Sequence, residues 1–295
     1  MEHMEPVSAA PFLKWAGGKS QLLADFDRYF PRRFGTYFEP FLGGGAVFFH
    51  LVHRRRIERA VISDANKDLM NCYVTIRDSL GELLRSLKQL QHRSRDRDFY
   101  YNTARKRFNE IRLGTGLDGN AEKASLMMYL NKTCYNGLYR VNKKGEFNVP
   151  WGRYRNPRIF DERNLRAVNA VLRREGIEIT CKDYQEAVKD SRAGDFIYFD
   201  PPYQPVSSTA HFMAYTKQNF TIQDQQRLSE IFRELNSRGC LLMLSNSPKV
   251  RGLYRDYRVV DLKATRAISC VGSGRGHVEE LLIMNYDLEG LGTLL

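Results

Sequence analysis

The chain has 295 residues, a formal charge of +12, 42% hydrophobic residues and five cysteines. This length can bury one large core, or one core and a smaller satellite, and the positive balance favours a polyanionic partner. No apolar run approaches the ~18 residues of a membrane span, nothing before Pro11 reads as a signal peptide, and the scattered cysteines make no Cys-x-x-Cys pair and no metal-ligand spacing with the six histidines, so a cytoplasmic protein with reduced thiols, no membrane and no metal is expected.

In chain order, the first readable unit is the apolar run Tyr37-Phe38-Glu39-Pro40-Phe41-Leu42, which meets Gly43-Gly44-Gly45 and then a helical stretch over 46–51. Strand, glycine turn and helix form the ligand-cradling unit of doubly wound α/β folds, where glycine allows close backbone approach. A second strand over 60–63 ends at Asp64, about 20 residues after Gly43, the spacing at which an acid reaches ribose hydroxyls. A helix follows at about 69–84. Period and propensity predict helices over 99–111 and 121–132, and then a long loop-rich segment over 133–157. The glycine-rich stretch 114–119 reads as a flexible loop without assignable chemistry. Strands over 177–181, 196–199, 240–245 and 278–286 alternate with a short helix at Ala187 and a longer one over 222–236, for which Thr221 is an N-cap. Residues 204–218, small and polar, read as a mobile lid. Strands alternating with helices imply an α/β fold, a mainly parallel sheet with helices on both faces. The middle block interrupts it, giving a discontinuous domain over 11–92 and 158–286 and an inserted helical domain over 93–157.

The strand over 196–199 closes in Asp200-Pro201-Pro202-Tyr203. The prolines fix φ and remove two N–H donors, so the strand stops and the backbone beyond it is stiff. A carboxylate, carbonyls short of local donors and a π-face together suit a flat ring bearing an exocyclic amino group. Taken alone, the tetrapeptide also fits a Pro-rich turn capped by a buried Tyr. The glycines spell no dinucleotide fingerprint and no Lys-Ser or Lys-Thr follows them, which favours a nucleoside over a nucleotide. Composition alone would make Lys19 a helix-surface lysine, and Asp183 suits helix capping as well as ligand contact.

These segments fall into a pattern. Phe12-Leu13-Lys14-Trp15-Ala16-Gly17-Gly18-Lys19, Glu39-Pro40-Phe41-Leu42-Gly43-Gly44-Gly45, Asp64, Tyr135-Asn136-Gly137-Leu138-Tyr139-Arg140 and Gly145-Glu146-Phe147-Asn148-Val149-Pro150 come first. Asp200-Pro201-Pro202-Tyr203, Asn219-Phe220-Thr221, Arg266-Ala267-Ile268-Ser269 and Glu279-Glu280-Leu281-Leu282 complete the set. Together they resemble the Dam-type DNA adenine-N6 methyltransferases (D12 class, alpha motif order), in family order from about residue 11 to 286. One departure is Gly44, where many relatives carry Ala or another small residue.

The resemblance implies a Rossmann-like class I methyltransferase sheet with an inserted target-recognition domain. It implies S-adenosyl-L-methionine as donor, double-stranded DNA with GATC sites as partner, and an enzyme that acts as a monomer. In this family pattern Asp200 and the carbonyl of Pro201, stiffened by Pro202, accept the protons of adenine N6, while Tyr203 stacks on the flipped base. Trp15, Lys19, Glu39, Phe41, Gly43, Gly45, Asp64, Asp183, Tyr184 and Asp200 surround the cofactor, with Lys19 suited to its methionine carboxylate. Lys14, Tyr135, Asn136, Leu138, Arg140, Asn142, Pro150 and Tyr154 face DNA. Tyr135 matches the intercalating aromatic, Arg140 the fork onto guanine, Leu138 and Pro150 the contacts to a thymine methyl, and Lys14 a base reader. Phe220 is expected to wall the target-base pocket.

The excess of Lys and Arg lies mainly over 85–112 and 140–166, the second interleaved with Tyr139, Phe147, Trp151 and Tyr154. Solvated helix faces account for part of it. Cytosine-N4 methylation uses the same amino-group chemistry, but its tetrapeptide usually begins with Ser. A catalytically silent DNA-binding module is the other alternative, against which stand the intact Asp200 and Tyr203.

Overall fold

The computed structural model describes residues 8–203, 220–265 and 277–287. The expected lid at 204–218, Asn219 and the segment 266–269 lie outside the described residues.

Seven strands form one sheet: β1 (Thr36–Glu39), β2 (Arg59–Ser63), β3 (Ile177–Thr180), β4 (Phe196–Phe199), β5 (Leu241–Asn246), β6 (Arg258–Thr265) and β7 (His277–Met284), in the order β3-β2-β1-β4-β5-β7-β6. β1 pairs in parallel with β2 and β4, β2 with β3 and β4 with β5, whereas β7 runs antiparallel to both β5 and β6. The chain order reverses between β1 and β4. The carboxyl ends of these adjacent strands therefore open a crevice at a topological switch point, where α/β sheets bind ligands. The glycine turn follows β1, Asp64 follows β2 and Asp200 follows β4, so the sheet delivers all three to one edge.

The helices are α1 (Leu23–Phe26), α2 (Ala46–His53), α3 (Lys67–Asp78), α4 (Leu80–Gln91), α5 (Lys106–Glu110), α6 (Ala121–Thr133), α7 (Glu162–Leu172), α8 (Tyr184–Val188) and α9 (Ile222–Ser237). They cover both faces. Along β4, Phe196 and Tyr198 join the core formed with α1–α4, α6 and α7, while Ile197 and Phe199 join the core formed with α8 and α9. Each strand buried on both sides is apolar throughout, as the run Phe-Ile-Tyr-Phe requires. Phe99–Arg105 forms a wide π-turn that continues into α5. α6 packs on α3 and α4, and Tyr100, Phe108, Met128 and Tyr129 are continuous with the core beneath the sheet.

One local expectation is corrected, and two elements are added to those expected. The single helix at 69–84 is two helices, α3 and α4, broken at Ser79 (φ −132°, ψ 34°), where Ser and the nearby Gly81 weaken continuation. α7 and β6 were not anticipated. β6 is an edge strand, and its Arg258 and Asp261 suit that position while obscuring the alternation that would reveal it. Thr221 is the N-cap expected of it, in a capping box with Asp224. Among the described residues no helix is long and apolar enough to cross a membrane, and no group of three His, Cys, Asp or Glu side chains could hold a metal ion.

Candidate active site

Asp200 ends β4 with its side chain 19% exposed, and its Oδ1 accepts a hydrogen bond from Lys19 Nζ at 2.5 Å. Lys19 is 5% exposed, donates to the Gly17 carbonyl at 2.9 Å and lies over the Tyr203 ring, 5.1 Å from its centroid. The surface lysine that composition suggests is thus a buried cation paired with the motif acid. Burial pushes the Asp200 carboxyl up to about 6, with Glu280 adding to the rise and Lys19 opposing it. Lys19 is held charged, because Asp200, Tyr203 and Glu280 outweigh the cost of its burial. The Tyr203 hydroxyl donates to Glu280, which also accepts from Ser245. Pro201 is buried and Pro202 exposed; the Pro202 carbonyl accepts Gln225 Nε2 at 3.5 Å, and Asn246 Nδ2 in turn donates to Gln225 at 3.0 Å.

The glycine turn curls against Trp15. Gly43 and Gly45 have φ of +51° and +72°, open to glycine at little cost. A Cβ on Gly43 would sit 2.7 Å from Trp15 Cδ1, and one on Gly45 2.8 Å from the Tyr73 hydroxyl oxygen. Both glycines are therefore already required by the protein's own packing, a reason the sequence did not disclose. At Gly44 the nearest atoms are 3.5 and 3.7 Å away, so the Ala of many relatives fits. Asp64 accepts the N–H of Gly43 at 3.0 Å and of Asn66 at 2.8 Å, which ties the ends of β1 and β2 together. Burial raises its carboxyl to about 6 against those two bonds. Glu39 is buried, accepts the Tyr37 hydroxyl at 2.8 Å and is pushed well above the usual carboxylate range by burial and by Asp200 and Asp64. Phe41 stacks on Tyr184 (5.1 Å, 25°), and Phe220 closes on both at 5.8 and 6.0 Å. Phe220, expected as a wall of the target-base pocket, thus packs against two of the residues expected around the cofactor. Asp183 is exposed and caps α8 by accepting Gln185 N–H at 3.0 Å.

The third group lies along 133–154. Cys134 bridges Trp151 and Val141 bridges Phe147, so Arg140 and Asn148 lie side by side. Tyr135, 45% exposed, donates its N–H to the carbonyl of exposed Pro150 at 2.8 Å. Asn136 adopts φ +55° in the same tight turn, and the half-buried Leu138 closes it. Arg140 Nε donates to Asn148 Oδ1 at 2.7 Å, and Asn142 serves as a turn former, accepting Lys144 and Glu146 N–H groups. Lys14 Nζ stands over the Tyr154 ring at 4.7 Å. Lys14 is followed by Trp15, which stacks on Tyr139 (5.7 Å, 28°). The short run from Lys14 to Lys19 therefore touches the rim, the glycine turn and the motif acid in succession.

The model of the D12 class N6 adenine-specific DNA methyltransferases matches residues 15–268. This chain belongs to that family. The Type II methyltransferase M.MjaIII of Methanocaldococcus jannaschii is 42% identical over 295 residues, covering 95% of this chain and 100% of the relative. The Type II methyltransferase M1.LlaDCHI of Lactococcus lactis subsp. cremoris is 39% identical over 282 residues (95% and 96%), and the DNA adenine methylase of Vibrio cholerae 35% over 276 residues (92% and 95%).

Several residues of this adenine methyltransferase were not singled out for a role by sequence reasoning. Glu280 was seen only as part of a motif. Asn131, buried in α6, accepts the Lys14 N–H at 2.8 Å and donates to the carbonyls of Lys14 and Gly137 at 2.8 and 2.9 Å, pinning the N-terminal segment to the rim. Asp68 accepts the Tyr139 hydroxyl at 2.7 Å and pairs with buried Lys123 at 3.3 Å, which joins the start of α3 to the rim. The apolar run Leu126-Met127-Met128-Tyr129-Leu130, which leads directly into Asn131, was the signal available in the sequence.

Proposed function

We propose that this DNA adenine methyltransferase uses S-adenosyl-L-methionine to methylate N6 of an adenine flipped out of double-stranded DNA, within GATC. The observation that carries the reading is the convergence of Asp200, Tyr203, the Gly43–Gly45 turn and Asp64 on the switch-point crevice. The residues fit the donor: a rigid glycine turn, a buried acid oriented by two backbone N–H groups, and the Phe41–Tyr184–Phe220 aromatic group for a purine. Asp64 would take the ribose, Glu39 and Trp15 the neighbouring walls, and Lys19 the methionine carboxylate. Bound there, the cofactor supplies an electrophilic methyl group on a cationic sulfur.

The N6 lone pair is delocalised into the adenine ring, so the protein must favour the pyramidal nitrogen. Asp200 and the Pro201 carbonyl accept the two amino protons, and Tyr203 stacks on the base in a dry pocket where such acceptors count most. Flipping costs a few kcal/mol, which the exposed Tyr135 ring offsets by filling the gap in the stack. Arg140 forks onto guanine, Leu138 and Pro150 meet a thymine methyl, Lys14 reads a further base, and Asn136, Asn142 and Tyr154 support the rim. In this reading residues 93–157 form the target-recognition domain, residues 11–92 and 158–286 the catalytic domain, and the enzyme acts as a cytoplasmic monomer. Transfer of labelled methyl to duplexes carrying GATC or each single-base variant, with nucleoside mass spectrometry of the product, tests it. N6-methyladenine on GATC alone is expected. Product on N4 of cytosine, or equal transfer to every variant, would overturn the corresponding part.

A further inference from the structure

Glu280 lies on β7, the strand inserted antiparallel between β5 and β6, and its side chain is 4% exposed. A carboxylate at this depth needs both hydrogen bonds and a counter-ion. The hydroxyls of Tyr203 and Ser245 supply the first, both at Oε1. Lys19 supplies the second, with Nζ 3.6 Å from the same oxygen. That ammonium is shared: it bonds the Gly17 carbonyl at 2.9 Å and Asp200 at 2.5 Å.

This sharing poses a chemical problem. The carboxylate that must accept the amino protons of adenine already accepts a hydrogen bond from a cation, which makes it a poorer acceptor. The pocket also contains the remedy, because one ammonium stands between two carboxylates. A displacement of about 0.5–1 Å brings Nζ from 3.6 Å into hydrogen-bond range of Glu280. The flexible lysine stem permits such a shift while its bond to Gly17 is kept.

We propose that Glu280 is a positioning residue for methyl transfer, the counter-ion toward which Lys19 moves when the target amino group takes its place on Asp200. The inference rests on the reading of Asp200 as the N6 acceptor. The contacts of the Glu280 carboxylate are with Tyr203, Ser245 and Lys19. Glu280 acts through Lys19, by drawing the cation off Asp200, and through the Tyr203 hydroxyl, by fixing the ring beneath the same cation. The charged and titratable groups around Asp200 are Lys19, Tyr203 and Glu280, with Glu39 and Tyr37 from β1 and Tyr198 from β4, and at saturating cofactor the methionine carboxylate assigned to Lys19 takes a further donor of the same ammonium without replacing Glu280.

Glu280→Gln keeps an oxygen for both hydroxyls and removes the charge. The single-turnover rate at saturating cofactor is expected to fall about 10–100-fold, the usual loss when an outer partner of a working group is removed, with KM for DNA changed by less than about threefold. The acid limb of the pH–rate profile should move to lower pH, because Asp200 then keeps Lys19 and loses the repulsion of Glu280. In a Lys19→Met background the same substitution should cost less than about twofold, since no cation remains to be held. A rate within about twofold of wild type, an unmoved acid limb, or an equal loss in both backgrounds would overturn the proposal. Should Glu280→Gln alone fail to melt cooperatively, Lys19→Met/Glu280→Gln is compared with Lys19→Met; a further tenfold loss there overturns it, on the same scale of about 10-fold. Wild-type enzyme that makes no N6-methyladenine would instead overturn the reading of Asp200 itself.

Discussion

Replacing Asp68 by Asn removes the counter-ion of a lysine buried where α3, α6 and the rim meet. Lys123 is 7% exposed, lies 3.3 Å from Asp68 Oδ1, and otherwise bonds the carbonyls of Phe108 at 3.2 Å and Ile111 at 2.7 Å. Removing one partner of a buried pair costs about 3–5 kcal/mol. The two carbonyls continue to solvate the ammonium, which puts the expected loss near the lower end, about 3 kcal/mol. Asn retains an oxygen for the Tyr139 hydroxyl, so the change falls on the charge. In urea, with a slope of about 3 kcal/mol per M for a chain of this size, the midpoint should drop by about 1 M. Asp68→Asn combined with Lys123→Met should recover most of the loss, because neither buried group is then an unpaired ion. Equilibrium denaturation followed by circular dichroism measures both. A midpoint within about 0.3 M of wild type, or no recovery in the double variant, would refute the assignment.

Further outcomes are expected. Asp200→Asn should abolish turnover with DNA affinity kept within a few-fold. In the wild type the carboxyl sits near 6, ionised above and protonated below, so the single-turnover rate at saturating cofactor should fall about tenfold from pH 7 to pH 5; a flat profile would contradict this. Asp64→Ala should weaken S-adenosyl-L-methionine binding by roughly 1.5–3 kcal/mol, and calorimetry giving unchanged affinity in a folded variant would remove its ribose role. Gly43→Ala should cost about 1–3 kcal/mol through its positive φ and the clash with Trp15, while Gly44→Ala stays within about 0.5 kcal/mol; equal melting temperatures would refute the packing argument. Arg140→Ala should cost about 1–3 kcal/mol of discrimination in kcat/KM between GATC and single-base variants at fixed salt, whereas equal loss on every duplex would assign it to the phosphate backbone.

The sequence by itself determined the parts whose physics is local. Phe196–Phe199 had to be a doubly buried strand, the two prolines had to end it, and Gly43 to Gly45 had to turn; each follows from a few adjacent residues, and each is where it was expected. The break at Ser79 and edge strand β6 escaped because a helical period runs through the first and charges interrupt the alternation of the second. Motif order pointed to the adenine methyltransferases through matches spread along the chain. Only the tertiary structure decided what Lys19 does. Its spacing from Asp200, 181 residues, carries no signal, and its burial depends on Tyr203 and Glu280 arriving from two distant stretches of the chain. Glu280 likewise enters the pocket because β7 turns antiparallel beside β5, a pairing that brings it to the Ser245 hydroxyl. Charge pairing in a buried site is set by distance through space, and the fold alone supplies that distance.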